Sequence, residues 1–309
     1  MLSSYRFSLM WLIVFTAVIL GKAHAREIAL TFDDAPTPDS SWLTGHERTE
    51  KIIAALKENG VEHALFFVKA DYINDDTAKR LKQYTQAGFQ LAHHSFSHQS
   101  AEAIGVDAYM DDFEKAEQAL KPFHNKLALH RFPYLRYGKN LDDINQLQQK
   151  IAARGYQDGY VTIDNFDWYI SSLITNALAE HGKIDLAKAR DFYVNTLYDT
   201  IEFYDTIAQK TLNRSPRHVL LLHENDAAAL FLGDLIKHLR SKGWRIISAE
   251  KAYQDPINAT FPQIDFHQQG RIAAIAALHG SDRKALRHVS ENEDYLNQLF
   301  KTSKIIVSD

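Results

Sequence analysis

The chain of 309 residues contains no cysteine. That excludes a disulfide framework, a thiolate metal site, a thiol nucleophile and an acylated lipoprotein cysteine. Basic residues form no block or stripe and the formal net charge is -4, so the electrostatic footprint of a nucleic-acid binder is missing. There is no internal repeat and no low-complexity tract. The longest apolar run, FSLMWLIVFTAVIL from Phe7 to Leu20, falls short of the roughly 20 residues that a membrane helix needs. What remains is a globular composition, 45% hydrophobic, long enough for one large domain or two small ones.

That apolar run has a different reading. Arg6 precedes it and Ala23-His24-Ala25 follows, which gives a positive start, an apolar centre and a small-x-small cleavage site. We expect residues 1–25 to be a signal peptide and the mature chain to begin at Arg26, with no integral membrane span after cleavage. An uncleaved N-terminal anchor is the alternative. Either way the expected location is periplasmic or secreted.

From Arg26 onward, short apolar runs alternate with helical patterns. REIALTF, VEHALFFV, FQLAHHSFSH, LALHRFPYL, YQDGYVTIDNFDW, RHVLLLHEND and WRIISAEKAY read as strands. HERTEKIIAALKENG, DDTAKRLKQYTQAG, VDAYMDDFEKAEQALKPF, INQLQQKIAARG and LGDLIKHLRSKG read as helices, with Gly60 and Gly88 where closing glycines belong. Such alternation predicts an α/β fold around a parallel sheet. Ile170 to Ser215 breaks the alternation as a helical insertion, one long stretch or two helices, and residues 256–309 read as a helical extension.

Functional residues of parallel α/β folds gather at the carboxyl ends of strands. Each expected strand here ends in polar residues: Asp33-Asp34, His94 and His98, Arg131, Asp164 and Asp167-Trp168, and His223. The His94-x-x-x-His98 spacing predicts two imidazoles on one side of a helical turn, and alone it means little. Two histidines and a carboxylate, however, make a cation site with positions left open for water. With adjacent aspartates, one can ligate while its neighbour takes a proton from the water. Arg131 is a charge partner for Asp33. His223, oriented by Asp167, is an acid for a leaving amine. Together these fit metal-assisted hydrolysis of an amide or ester.

The ordered motifs TFDD, HSFSH, RFPY, DNFDW and LLHE resemble those of the NodB-homology polysaccharide deacetylases, carbohydrate esterase family 4. GVEHALFFV, AGFQLAHHSFSH and KGWRIISAEKAY agree as spacers, and the likeness runs from about Glu27 to Tyr253. The resemblance implies a distorted (β/α) barrel that removes acetyl groups from N- or O-acetylated sugars, usually with zinc. It implies Asp33 as base, Asp34, His94 and His98 as metal ligands, Ser95 as their support, and Arg131 holding Asp33. It also implies Asp167 orienting the acid His223, an oxyanion-binding backbone N–H at Tyr134, Trp168 as a wall and Leu221 in the acetyl pocket. Four positions depart from the family pattern: His93, Phe132, Ala35 within DAP, and Glu224. They put the shape of the sugar groove in question, and His93 is a possible competitor for the metal.

The expectation is therefore a signal peptide over 1–25 and a catalytic domain over 26–255. That domain carries a helical insertion at about 170–215 and is followed by a helical extension over 256–309. The cofactor is Zn2+, with another divalent metal as alternative, and the partner is an acetylated glycan. Trp42, Phe166, Trp168 and Tyr169 are candidates to stack on sugar rings. Three rival readings are the same metal core acting on a non-sugar amide or ester, a catalytically silent saccharide-binding protein, and a structural envelope protein built around the helical tail, which would hold no metal.

Overall fold

The computed structural model describes residues 26–307; the expected signal peptide lies outside the described residues. The first half runs β1 (Arg26–Ala35), α1 (Gly45–Glu58), β2 (Leu65–Val68), α2 (Thr77–Gln86), β3 (Gln90–His93), α3 (Ala101–Ile104), α4 (Val106–Leu120), β4 (Lys126–His130) and α5 (Leu141–Ala152). It continues with β5 (Gln157–Asp158), α6 (Asp167–His181), α7 (Leu186–Leu212), β6 (Arg217–His223), α8 (Asp226–Ser241), β7 (Trp244–Ile247), α9 (Ala249–Ala252), α10 (Arg271–Leu278) and α11 (Glu293–Thr302).

All strand pairings within the sheet are parallel, in the order β5-β4-β3-β2-β1-β6. β1 lies at the centre. Along one edge it pairs with β6 from Glu27 to Asp33. Its other edge is shared, β7 against Arg26–Ala29 and β2 against Thr31–Ala35. The sheet curls until its two ends meet across one segment. Gly159 N–H bonds His130 C=O at the β4 end, while Thr162 and Ile163 N–H groups reach Val219 C=O on β6. A Cβ at Gly159 would sit 2.7 Å from the Phe67 ring and 3.0 Å from His130 O, so the approach that joins the ends needs glycine there. This is the distorted (β/α) barrel that the sequence led us to expect.

Residues on both faces of the sheet are buried, which is why the strands read as nearly continuous apolar runs. Phe66 faces outward, stacked on Phe32 and on Tyr84 of α2 at 3.9 Å between ring centres. α1 starts with a reciprocal cap between Thr44 and Glu47, and its buried face holds Ile52 and Leu56. Gly60 and Gly88 follow α1 and α2 at φ +57° and +98°, the left-handed positions that glycine fills at no steric cost.

Two expectations change, and a third, one helix or two, is resolved. FQLAHHSFSH is a strand only to His93. His94 and His98 then sit in a loop, not on a helical turn, because the Phe96 and Ser97 N–H groups turn to the Asp112 carboxylate on α4. YQDGYVTIDNFDW is not one strand: after β5 it runs irregularly into α6. Its Asp and Asn side chains accept from nearby backbone, Asn165 N–H to Asp164 and Asp167 N–H to Asn165, and so turn the chain. The helical stretch given as Ile170–Ser215 is two helices, α6 and α7, broken at Gly182 with φ +68°.

Candidate active site

Strand alternation decides which side chains meet inside the barrel. Asp33 pairs in register with His223, and Thr31 with Leu221. Registered neighbours on parallel strands share a face, so these four side chains point together at the carboxyl end. His93 pairs with His130 across β3 and β4, on the opposite face. His94 and Arg131, one residue on, therefore turn inward. A cleft of about 400 Å³ results, lined by Asp33, Asp34, His94, His98, Tyr134, Trp168, Leu221 and His223 among others. Arg131 and Asp167 stand behind it, each touching a cleft residue.

Asp33 is buried, and its Oδ1 accepts from Arg131 Nη1 at 2.5 Å. Arg131 is itself fixed by four further groups. Nε donates to Gly159 C=O, Nη1 to Thr31 Oγ1 and Nη2 to the Tyr253 hydroxyl, and the guanidinium lies 3.8 Å over the Phe67 ring. Burial pushes the Asp33 carboxyl up to about 6, against the opposing pull of Arg131. Its Oδ2 is left to the cleft, 3.5 Å from His94 Nε2.

Asp34, His94 and His98 converge. Their donor atoms lie within 4.8 Å of one another. His94 Nδ1 lies 2.9 Å from the Arg131 carbonyl, so it carries the proton and Nε2 presents a lone pair. His98 Nε2 lies 3.1 Å from His94 Nε2 and 3.2 Å from Asp34 Oδ1. Burial drives both imidazoles below their ordinary pKa, which keeps them neutral. Asp34 Oδ1 is buried and has no hydrogen-bond partner among the described residues. One orphaned carboxylate oxygen facing two imidazole lone pairs fits a divalent cation, and the N2O donor set suits zinc or another first-row ion.

His223 faces this group from β6. Its Nδ1 lies 2.6 Å from Asp167 Oδ1, while Asp167 Oδ2 accepts from His223 N–H and from Asn225 Nδ2. Burial favours the neutral ring, but the charge and hydrogen bond of Asp167, with the charges of Asp34 and Asp33, together outweigh it and push His223 up to about 9. The imidazolium is thus the resident form at neutral pH, with Nδ1 engaged and Nε2 free to donate.

Tyr134 stands 57% exposed with its ring 4.6 Å from that of His98. Trp168, 39% exposed, lines the cleft beside Phe166. Trp42 packs against the hydrophobic core and Tyr169 bonds Asn297, so neither joins the cleft lining. Asp34, Ser95, His98 and Tyr134 all sit at φ between +57° and +65°, a region that costs a non-glycine residue of order 1 kcal/mol or more.

The departures from the family pattern fall mostly outside the cleft. His93 does not compete for the metal. It faces away, with Nδ1 2.7 Å from His130 Nδ1, Nε2 2.9 Å from Phe113 O, and its ring stacked on Phe113. Glu224 does not shape the groove either. Fully buried, it accepts from Arg80, Tyr84, Thr49 and the Thr37 N–H, which ties the loop after β1 to α1 and α2. Phe132 does line the cleft, stacked on Tyr109.

Sequence reasoning missed Asn165, Gln268 and Arg287 in the lining, and Asp112, Asn225 and Tyr253 behind it. Asn165 sits inside the DNFDW motif and Asn225 directly follows LLHE, so both were within reach. Nothing in the sequence ties Gln268 or Arg287 to the barrel.

Residues 21–152 match the family model for polysaccharide deacetylase. A peptidoglycan-N-acetylglucosamine deacetylase of Bacillus cereus is 24% identical over 252 residues, 79% of this chain and 74% of that one. The peptidoglycan deacetylase structure from Bacillus subtilis aligns with TM-score 0.51 and 20% identity, covering 75% of this chain and 91% of that one. A CE4 esterase structure from Streptococcus mutans aligns with TM-score 0.51 and 19% identity, over 73% and 86%. At these identities the structural likeness carries the fold.

Proposed function

We propose that the chain belongs to the polysaccharide deacetylase family, whose model matches residues 21–152, and that it is an exported, divalent-metal-dependent hydrolase releasing acetate from an N- or O-acetylated saccharide. The observation that carries the metal dependence is the orphaned Asp34 Oδ1 set against the two Nε2 atoms of His94 and His98. The Bacillus cereus relative is named for peptidoglycan N-acetylglucosamine, and that substrate class is part of the proposal. So are a signal peptide over 1–25, a periplasmic or secreted location, and the division into a 26–255 catalytic domain and a 256–309 extension.

A divalent ion on Asp34, His94 and His98 would polarise the acetyl carbonyl and acidify the attacking water. The chain's own groups do the rest. Asp33 Oδ2, with Oδ1 held by Arg131, takes the proton of that water. The Tyr134 N–H donates to the oxygen that becomes negative as the carbonyl turns tetrahedral. His223 Nε2 gives its proton to the leaving nitrogen, or oxygen in an ester, and Asp167 stabilises the imidazolium until then. Leu221 provides apolar surface for the acetyl methyl, and Trp168 and Phe166 provide faces for a sugar ring.

Asp33→Ala and His223→Ala are expected to lower turnover at least about a hundredfold while metal content, measured on the same samples, stays at one per chain. Near-normal acetate release from either variant would show the roles to be misassigned.

A further inference from the structure

The extension after residue 255 reaches the cleft. Gln268 and Arg287 line it together with Asp33, His94, Tyr134 and His223. Among the described residues Arg287 is the only lysine or arginine in that lining. Resting on the deacetylase reading, we propose that Arg287 anchors an anion subsite, and that the preferred acetylated glycan carries a carboxylate beside the sugar that loses its acetyl group.

The charge of Arg287 is available. Its Nη2 donates to the Gln268 carbonyl at 3.3 Å, and its closest ion-pair contact is Glu291 Oε2, 3.9 Å from Nε. Glu291 is occupied elsewhere. The Tyr204 hydroxyl lies 2.5 Å from its Oε1, Gln269 Nε2 donates to Oε2 at 2.8 Å, and the His288 N–H adds a third bond. By contrast Arg131, Arg214 and Arg271 each hold a carboxylate at close range. The Arg287 side chain is 43% exposed, so a ligand can reach it.

Its position is also built. Gln268 N–H bonds Leu135 C=O, and the Gln268 amide oxygen, in the orientation that satisfies its neighbours, accepts from Arg136 Nε and Nη2. Arg271 N–H bonds Val161 C=O, and Arg271 pairs with Asp158 and lies over the Tyr160 ring. A Cβ at Gly270 would stand 3.0 Å from Val161 O, a backbone approach that fixes this stretch to the barrel wall. Asp164, the remaining carboxyl of the cleft, is pushed well up by burial, with Glu291 adding to the effect and Arg287 opposing it. A lone guanidinium fork matches one carboxylate, through two parallel N–H donations.

The test uses the full chain, metal-loaded, on a matched pair of N-acetylated oligosaccharides, one with a carboxylate next to the acetamido sugar and one with that carboxyl reduced to an alcohol. Acetate release gives kcat and KM, and calorimetry gives affinity for the two deacetylated products. Wild type is expected to favour the acidic substrate about tenfold, through KM. Arg287→Gln is expected to lose that preference, Arg287→Lys to keep part of it, and 1 M salt to shrink it. Equal kcat/KM on both substrates, or a preference that survives in Arg287→Gln, overturns the subsite. A phosphorylated analogue bound more tightly than the carboxylate one overturns the choice of carboxylate. If neither substrate is turned over, the deacetylase reading fails. The calorimetric ratio, compared between wild type and Arg287→Gln, then decides the subsite alone.

Discussion

Residues in and beside the cleft hold a backbone conformation that their side chains disfavour. Asp34, Ser95, His98 and Tyr134 are all left-handed at φ +57° to +65°, and glycine would hold each at lower cost. Such conflicts between local preference and native geometry concentrate at functional sites. The residue types were legible in the sequence; their backbone angles were not, because φ is imposed by the loops that aim each group. Alternation was legible. With His94 turned inward, His93 must face out, and its bonds to His130 and Phe113 follow. Asp167 gives a prediction at this scale. Its charge raises His223, so Asp167→Asn is expected to move the alkaline limb of the kcat/KM profile to lower pH, because the proton leaves His223 sooner. A bound cation would screen Asp33 and Asp34 but leave the Asp167 contribution. A limb at the same pH in wild type and variant would contradict the assignment of His223 as acid.

Elements carry the site through register. β1 and β6 bring the Asp33 carboxylate and the His223 imidazole together because the two residues pair in register, and no single strand pattern shows that pairing. The strand and helix alternation, the closing glycines and the strand-end polar residues were all readable. Strand lengths were not. FQLAHHSFSH and YQDGYVTIDNFDW keep their apolar character past the point where side-chain-to-backbone bonds turn the chain. The insertion is tied to the barrel by Asp205 on α7, which accepts from His218 Nε2 on β6 and from Gln209. Burial pushes this carboxyl up, but the bonds from His218, Ser215 and Gln209 together with the His218 charge outweigh it and hold Asp205 at about 2, below the unfolded value of about 3.9. A depressed carboxylate stabilises the fold above about pH 4 and loses that contribution as pH falls toward 2. Asp205→Asn is therefore expected to cost on the order of 2 kcal/mol at pH 7, read from chemical denaturation. The gap to wild type should close between about pH 4 and 2, and a gap unchanged over that range would count against the pair.

Across the whole molecule, the parts that broke the α/β alternation form one structure. Tyr204 of α7 lies between Gln269 and Glu291, and Thr200 of the same helix meets His288 and Ser290. The insertion thus backs the extension, and the extension brings Gln268 and Arg287 to the cleft. This was beyond the sequence because the contacts join positions 65 to 90 residues apart through polar groups with no periodic signature. The barrel and its metal-ligand candidates were readable because each lies at the end of an apolar run. Among the described residues no helix is long and apolar enough to cross a membrane. The central claim is that this cleft hydrolyses acetyl groups with a divalent ion on Asp34, His94 and His98. Its most direct test is acetate release from acetylated glycans by the protein as purified, after chelation, and after zinc is restored. Release that chelation abolishes and zinc restores is expected; release that persists with the metal removed would contradict a role for a divalent ion on Asp34, His94 and His98.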